Sequence, residues 1–72
     1  MQKIKKIEIK VNGKVKFIPI KYNISDLIKN LKIPIKKVAI ELNQQIIDKK
    51  KISKINLEKN DKIEIVHFIG GG

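Results

Sequence analysis

The sequence predicts an α+β fold in which one helix covers one face of a mixed sheet of four to five strands. Alternating segments flank Asn12-Gly13, apolar residues at helical spacing occupy residues 23–32, and two more alternating segments follow. One amphipathic helix covers only one face of a sheet, so we expect two packed layers in a single domain of residues 1–69.

The first strand is predicted around Ile7, Ile9 and Val11, which alternate with polar residues. Asn12-Gly13 then predicts a type I′ turn, because both central positions of that turn need a positive φ. A loop of two residues would place Val11 opposite Lys14. That register decides which side chains of the hairpin face the core.

The return strand is predicted over residues 14–20. The register directs two of its apolar side chains to the core and two away from it: Ile18 and Ile20 inward, Val15 and Phe17 outward. Pro19 has no amide hydrogen to donate, which predicts a strand at the edge of the sheet.

Asn23 and Asp26 have the spacing of a capping box and predict the start of a helix. The apolar residues that follow lie at i, i+3, i+4 and i+7, on one helical face: Ile24, Leu27, Ile28 and Leu31. Pro34 predicts that the helix ends near Lys32 or Ile33, since the residue before a proline avoids helical backbone.

A third strand is predicted over residues 38–43, because apolar and other residues alternate there. A turn at residues 43–45 leads into a short extended piece, Ile46-Ile47. Residues 48–56 form a polar, lysine-rich crossover, and two isoleucines are expected to anchor it on the core: Ile52 and Ile55.

The last strand is predicted over residues 62–69. Ile63 and Ile65 share the inward parity. His67 has the same parity near the end of the strand, so we expect a partly buried structural histidine rather than a catalytic one. Three residues take the outward parity: Glu64, Val66 and Phe68.

The composition argues against an enzyme and against a metal site. The chain has no cysteine and a single histidine, and its two serines, Ser25 and Ser53, lie in no nucleophile-elbow sequence. A domain of 72 residues buries only about 60% of the surface of its unfolded chain. We expect a chain that catalyses nothing by itself and binds no metal or cofactor.

The net charge of +10 raises nucleic-acid binding as an alternative function. All 17 basic residues are lysine, however, and arginine is the side chain that binds bases and phosphates in a bidentate way. Aromatic residues for stacking on bases are few: Phe17, Tyr22 and Phe68. We therefore expect no nucleic-acid partner.

No apolar run reaches the roughly 20 residues that a membrane span needs, so we expect no membrane contact. The enrichment in Lys, Ile and Asn suits an AT-rich bacterial or plastid genome. We expect a cytoplasmic protein, or a protein of the plastid stroma if the gene is plastid-encoded.

Three glycines, Gly70-Gly71-Gly72, follow the last predicted strand. Glycine has the largest backbone freedom, so residues 70–72 should form a flexible tail that reaches at most about 10 Å beyond the sheet. Lacking side chains, the tail would thread a narrow slot and deliver the Gly72 carboxylate to another protein's active site. A carboxylate is a poor electrophile, so the expected step is its activation, for example as an acyl-adenylate.

The sequence resembles the ThiS family, sulfur carrier proteins of thiamine biosynthesis with the ubiquitin-like β-grasp fold. Three segments carry the resemblance: residues 9–14, residues 38–43 with 46–47, and residues 61–72. Lys49-Lys50-Lys51 departs from the family, which more often has Pro-Arg and an aromatic residue there. Asn60 departs as well, at a position where glycine is usual.

The resemblance implies that an E1-like enzyme uses ATP to adenylate the Gly72 carboxylate. Sulfur from the persulfide of a cysteine desulfurase would convert it to a thiocarboxylate, and thiazole synthase would take that sulfur. Gly70 and Gly71 would lie in the partner's channel, and ATP and metal would belong to the partner. Sulfur carriage for molybdopterin synthesis is the near alternative, and a ubiquitin-like modifier of proteins is another.

A partner-binding patch is predicted on the sheet face opposite the helix. It comprises three apolar residues with outward parity, Val66, Phe68 and Phe17, because exposed apolar patches often mark binding sites. Glu64 lies beside them and would pair with a basic group of the partner. Lys49-Lys50-Lys51 is expected to be a solvated loop that could steer an acidic partner.

Overall fold

The computed structural model describes residues 5–68, in which five strands form one mixed sheet and one α-helix packs on one of its faces. The strands are β1 (Lys6–Val11), β2 (Lys14–Pro19), β3 (Val38–Leu42), β4 (Gln45–Ile46) and β5 (Lys62–His67). Helix α1 spans Ile24–Asn30, and two 3₁₀ helices span Ile35–Lys37 and Lys49–Lys54. The predicted α+β architecture is confirmed.

The strands lie in the order β2-β1-β5-β3-β4. β5 is therefore central, parallel to β1 on one side and antiparallel to β3 on the other. β2 lies at an edge, as Pro19 predicted. The strand that precedes the three glycines is thus held between two neighbours.

The first hairpin has the predicted register, with Val11 opposite Lys14. Asn12 and Gly13 have φ values of 50° and 82°, the two positive angles that a type I′ turn requires. The register therefore follows from the turn, and it places alternate side chains of β1 and β2 on the face that α1 covers.

Ile20 does not lie in the core, contrary to its predicted parity, and its side chain is 44% exposed. β2 ends at Pro19, and Ile20 belongs to the turn that follows. The alternation of side chains along a strand no longer applies there, so the inward direction predicted for Ile20 is wrong.

Helix α1 begins with the predicted capping box. The Asn23 side chain accepts a hydrogen bond from the Asp26 amide at 2.7 Å, and the Asp26 carboxylate accepts one from the Asn23 amide at 3.0 Å. Two of the amides at the helix start, which have no partner inside the helix, are satisfied in this way.

The helix ends at Asn30, before the position that Pro34 predicted. Lys32 has a φ of 56°, and the Ile33 amide donates to the carbonyl of Ile28 at 3.1 Å. The Lys32 amide donates to Lys29, which completes a Schellman motif. A left-handed residue therefore ends the helix before the proline can do so.

The core lies between α1 and one face of the sheet, called the inner face here; the opposite face is the outer face. Its buried members come from α1, all four longer strands and the segment before β5: Ile9, Ile18, Ile24, Leu27, Ile28, Val38, Ile40, Leu57, Ile63 and Ile65. Ile52 and Ile55 are half-buried and pack against this core, so their predicted anchoring role is confirmed.

His67 shares the parity of Ile63 and Ile65 but is exposed, so its predicted partial burial is wrong. His67 is the last residue of β5, and Ile65 is the last residue of that strand that the core buries. The inward parity therefore continues one position beyond the edge of the core.

Two asparagines in turns bind the backbone of β5. The Asn12 side chain accepts a hydrogen bond from the Ile65 amide at 2.7 Å and donates one to the Ile65 carbonyl at 3.3 Å. These bonds extend the ladder past the last paired residue of β1, Val11. From the β3 side, the Asn43 side chain accepts a hydrogen bond from the Lys62 amide at 2.9 Å. The sequence had assigned both asparagines only to turns.

Left-handed backbone occurs at several residues other than glycine. Asn43 and Gln44 have φ values of 50° and 71°, so the β3–β4 connection is a second two-residue turn of the same kind. Asn60 has a φ of 71°, and its amide donates to the Glu8 carbonyl at 2.8 Å. Asparagine tolerates this conformation better than most residues other than glycine.

Lys49 is not the solvated residue that its sequence neighbours predicted. It is half-buried, its ammonium group donates to the Ile35 carbonyl at 3.0 Å, and that group lies 5.1 Å from the centroid of the Phe68 ring. Lys50 and Lys51 are exposed, as predicted. One of the three lysines therefore ties the crossover to the end of β5.

Replacing Asn12 with glycine keeps the positive φ and removes both side-chain bonds to Ile65. We expect N12G to lower the free energy of unfolding by about 2 kcal/mol, because a backbone amide and carbonyl lose their partners. Hydrogen exchange of the Ile65 amide should accelerate more than that of the Ile63 amide. The matched variant N60G, at another positive φ, should change the stability by less than about 0.5 kcal/mol; equal losses in both variants would contradict the assigned role.

Replacing Lys49 with methionine retains the aliphatic stem and removes the charge and the donor. We expect K49M to lower the free energy of unfolding, measured by denaturant titration, by about 1 kcal/mol, since both the cation–π contact and the bond to Ile35 are lost. K50M removes an exposed ammonium and should leave the stability unchanged. Equal stability of K49M and the parent chain would show that these contacts contribute nothing.

Candidate functional site

β5 presents two of the predicted binding residues on the outer face. Val66 lies opposite Ala39 of β3, and Glu64 lies opposite Glu41. Val66 is 52% exposed, and its small neighbour Ala39 leaves its methyl groups uncovered. Both residues are therefore accessible to a partner, as predicted from their parity.

Ile46 belongs to the same surface, although it was not predicted to do so. It lies opposite Glu41 on β4, and at 79% it is the most exposed of the large apolar residues in the described part of the chain. Its place follows from the second type I′ turn, which pairs Leu42 with Gln45. Recognising that turn at Asn43-Gln44 would have found it. We call five residues the outer-face patch: Ala39, Glu41, Ile46, Glu64 and Val66.

Phe68 directly follows β5, and its side chain is exposed. Its amide donates to the Lys37 carbonyl at 2.9 Å, which holds the backbone, and its ring is 53% exposed. The Lys49 ammonium group lies against the ring. The exposed ring of Phe68 is therefore held through its backbone bond to Lys37 and by the contact with Lys49.

Phe17 lies in a different part of the outer face from Val66. It pairs with Glu8, and Lys10 pairs with Lys62, so Phe17 is level with residue 60. The six residues from 60 to 66 span roughly 20 Å along a strand. Phe17 is 60% exposed beside Val15, and these two form a second apolar area that the structure does not join to Val66.

Gly70, Gly71 and Gly72 lie outside the described residues, which end at Phe68. Within residues 5–68, no group of three histidine, cysteine or acidic residues is placed to hold a metal ion. No helix in the same range has the length and apolar character of a membrane span. The outer-face patch offers apolar side chains and two carboxylates, which suit the binding of another protein.

A thiazole synthase of Paramagnetospirillum magneticum contains a segment that is similar to this chain. The two are 32% identical over 66 residues, which cover 92% of this chain and 20% of that protein. This chain therefore corresponds to about a fifth of that longer polypeptide.

Residues 9–72 match the sequence model of the ThiS family. A sulfur carrier protein ThiS of Bacillus subtilis strain 168 is 40% identical over 65 residues, which cover 89% of this chain and 98% of that protein. The crystal structure of a thiamine biosynthesis protein, ThiS, from Geobacter metallireducens has a TM-score of 0.81 at 26% identity, over 92% of this chain and 100% of that one. These similarities confirm the predicted β-grasp fold, and the chain belongs to the ThiS family.

Proposed function

We propose that the chain is a sulfur carrier protein of thiamine biosynthesis, whose Gly72 carboxylate carries the sulfur as a thiocarboxylate. The observation that supports this most is the place of β5: a strand bonded on both sides leads, through the exposed Val66 and Phe68, into Gly70-Gly71-Gly72. The 40% identity with ThiS over nearly all of that protein agrees with this function.

The chemistry resides in a partner, and the chain supplies the reacting carboxylate. In the adenylating enzyme, the Gly72 carboxylate attacks the α-phosphorus of ATP and pyrophosphate leaves. The terminal sulfur of a cysteine desulfurase persulfide then attacks the acyl carbon and AMP leaves, which gives an acyl disulfide. A thiol reductant cleaves the S–S bond of that acyl disulfide, which releases the thiocarboxylate and leaves the thiol in a disulfide. ATP and any metal belong to the E1-like partner, and this chain acts as its protein co-substrate.

The proposed reaction would use the sheet to position the tail. The end of β5 is held on both edges, because Asn12 binds Ile65 and β3 pairs with β5 up to His67. Three glycines span about 10 Å, so a docked sheet places the carboxylate within a narrow range of positions. Contact with Val66 and Phe68 would therefore aim Gly72 into the partner's channel.

Thiazole synthase is the proposed acceptor of the sulfur. The thiazole synthase of Paramagnetospirillum magneticum carries a segment similar to this chain within one polypeptide, which supports a joint role for the two parts. That observation favours the thiazole branch over the alternative of molybdopterin synthesis.

Incubation with the adenylating enzyme, ATP, a persulfide donor and a thiol reductant should add to the intact chain the mass difference between one sulfur and one oxygen. A chain lacking Gly72 should remain unmodified while keeping its thermal unfolding midpoint, because the core described above is built from residues between Ile9 and Ile65. Thiazole synthase should then return the modified chain to its original mass. An unmodified parent chain beside an adenylating enzyme that is active on its own carrier would contradict the proposal.

Val66→Ser should raise the KM of the adenylation reaction about fivefold with an unchanged kcat, since half-exposed apolar area is lost from the docking surface. Ile20→Ser is the control, because Ile20 is an apolar residue that is 44% exposed in the turn after β2, outside the outer face. Pyrophosphate release at several carrier concentrations measures both constants. Equal KM values for the two variants would show that Val66 is not part of the docking surface.

A further inference from the structure

The outer face is divided by charge. In the half near the tail, Glu41 and Glu64 are direct cross-strand partners, and Ile46 and Val66 flank them. The chain has seven acidic residues and 17 lysines, so two neighbouring carboxylates are not what its composition would lead one to expect. Like charges directly opposite each other destabilise a sheet, so this pair opposes folding.

In the other half of the outer face, two lysines meet in the same manner. Lys10 lies level with Lys62 across the parallel β1–β5 pair, and Val15 lies opposite Lys10 on β2. The two lysines line a shallow depression together with Glu8. The boundary between the halves falls between Lys62 and Glu64, two residues apart on the same face of β5.

The two carboxylates are available to a partner. Neither Glu41 nor Glu64 takes part in the side-chain hydrogen bonds formed within residues 5–68. Glu41 is half-buried between Ile46 and Glu64, and a group bound there would be partly shielded from water. A basic side chain placed between the carboxylates would relieve their repulsion, and a guanidinium group fits two carboxylates well.

We propose that the outer face docks on an adenylating partner that places a basic side chain against Glu41 and Glu64 and an acidic one against Lys10 and Lys62. The two charge contacts, together with Ile46 and Val66, fix the direction in which the tail points. This inference rests on the proposed function and specifies the surface of the partner. Complementary charge gives orientation and rate of association more than affinity alone.

A second copy of the chain would also match this face in charge, because each half is complementary to the other. A twofold axis would then pair the acidic half of one copy with the basic half of the next. Each copy carries +10, however, and this repulsion opposes self-association. The observations therefore favour a different protein as the occupant.

The test uses steady-state adenylation by the partner enzyme at several NaCl concentrations. E41Q and E64Q should each raise KM about fivefold with kcat unchanged, and the dependence of KM on salt should become weaker. E58Q is the matched control: it removes one charge at an exposed residue before β5, and KM should stay within twofold. K62Q should raise KM similarly, while K29Q on α1 should not.

Two results would overturn the inference. The first is an equal KM for E41Q, E64Q and E58Q while the parent chain is still adenylated. That result would contradict the docking surface but not the proposed function. The second is a dimer of the parent chain in sedimentation equilibrium that E41Q and E64Q dissociate, since the face would then bind a second copy. Failure of the parent chain to be adenylated contradicts the proposed function itself.

Discussion

The hydrogen bonding of β5 on both of its edges is the constraint on which the rest of the structure depends. β1 and β3 are both distant from β5 in the sequence. Each becomes its neighbour only through the crossover connections of the fold. Where β1 ends, the Asn12 side chain takes its place at Ile65. The strand is therefore held by hydrogen bonds almost to its last residue, His67.

The two faces of the sheet separate two requirements that conflict in a small protein: a stable core and an exposed surface for binding. A domain of 72 residues has a thin core, and here every buried side chain is apolar within the described range. The core is confined to the inner face, so the outer face contributes little to stability. That face is free to carry exposed apolar residues and adjacent like charges, which disfavour folding but suit binding.

The lysine-rich composition obscures this division. The overall charge of +10 points to a polyanion as partner, yet the surface beside the tail is apolar and locally acidic. Net charge describes solubility and long-range attraction, whereas docking depends on which side chains share a face. Lys49 shows the same effect on a smaller scale, because one of three consecutive lysines is a structural contact and the other two are solvated.

Periodicity and turn chemistry determined much from the sequence by itself. The hairpin at Asn12-Gly13, the capping box at Asn23 and the inward parity of Ile63 and Ile65 all depend on residues close to each other in the chain. Local rules failed where elements end: Ile20 leaves the strand alternation after Pro19, and His67 is the last residue of β5, beyond the edge of the core. Strand ends are set by pairing with distant segments, which a local pattern does not contain.

The tertiary structure alone decided how the outer face is assembled. The sequence placed Val66, Glu64 and Phe17 on one face, because parity reports the side of a sheet. It carries no information on strand order or on the stagger between parallel strands, so it joined Phe17 to a patch that lies roughly 20 Å away. The pairing of β3 with β4 and β5 instead brings Ile46 and Glu41 to Glu64, since cross-strand neighbours are fixed by long-range hydrogen bonds.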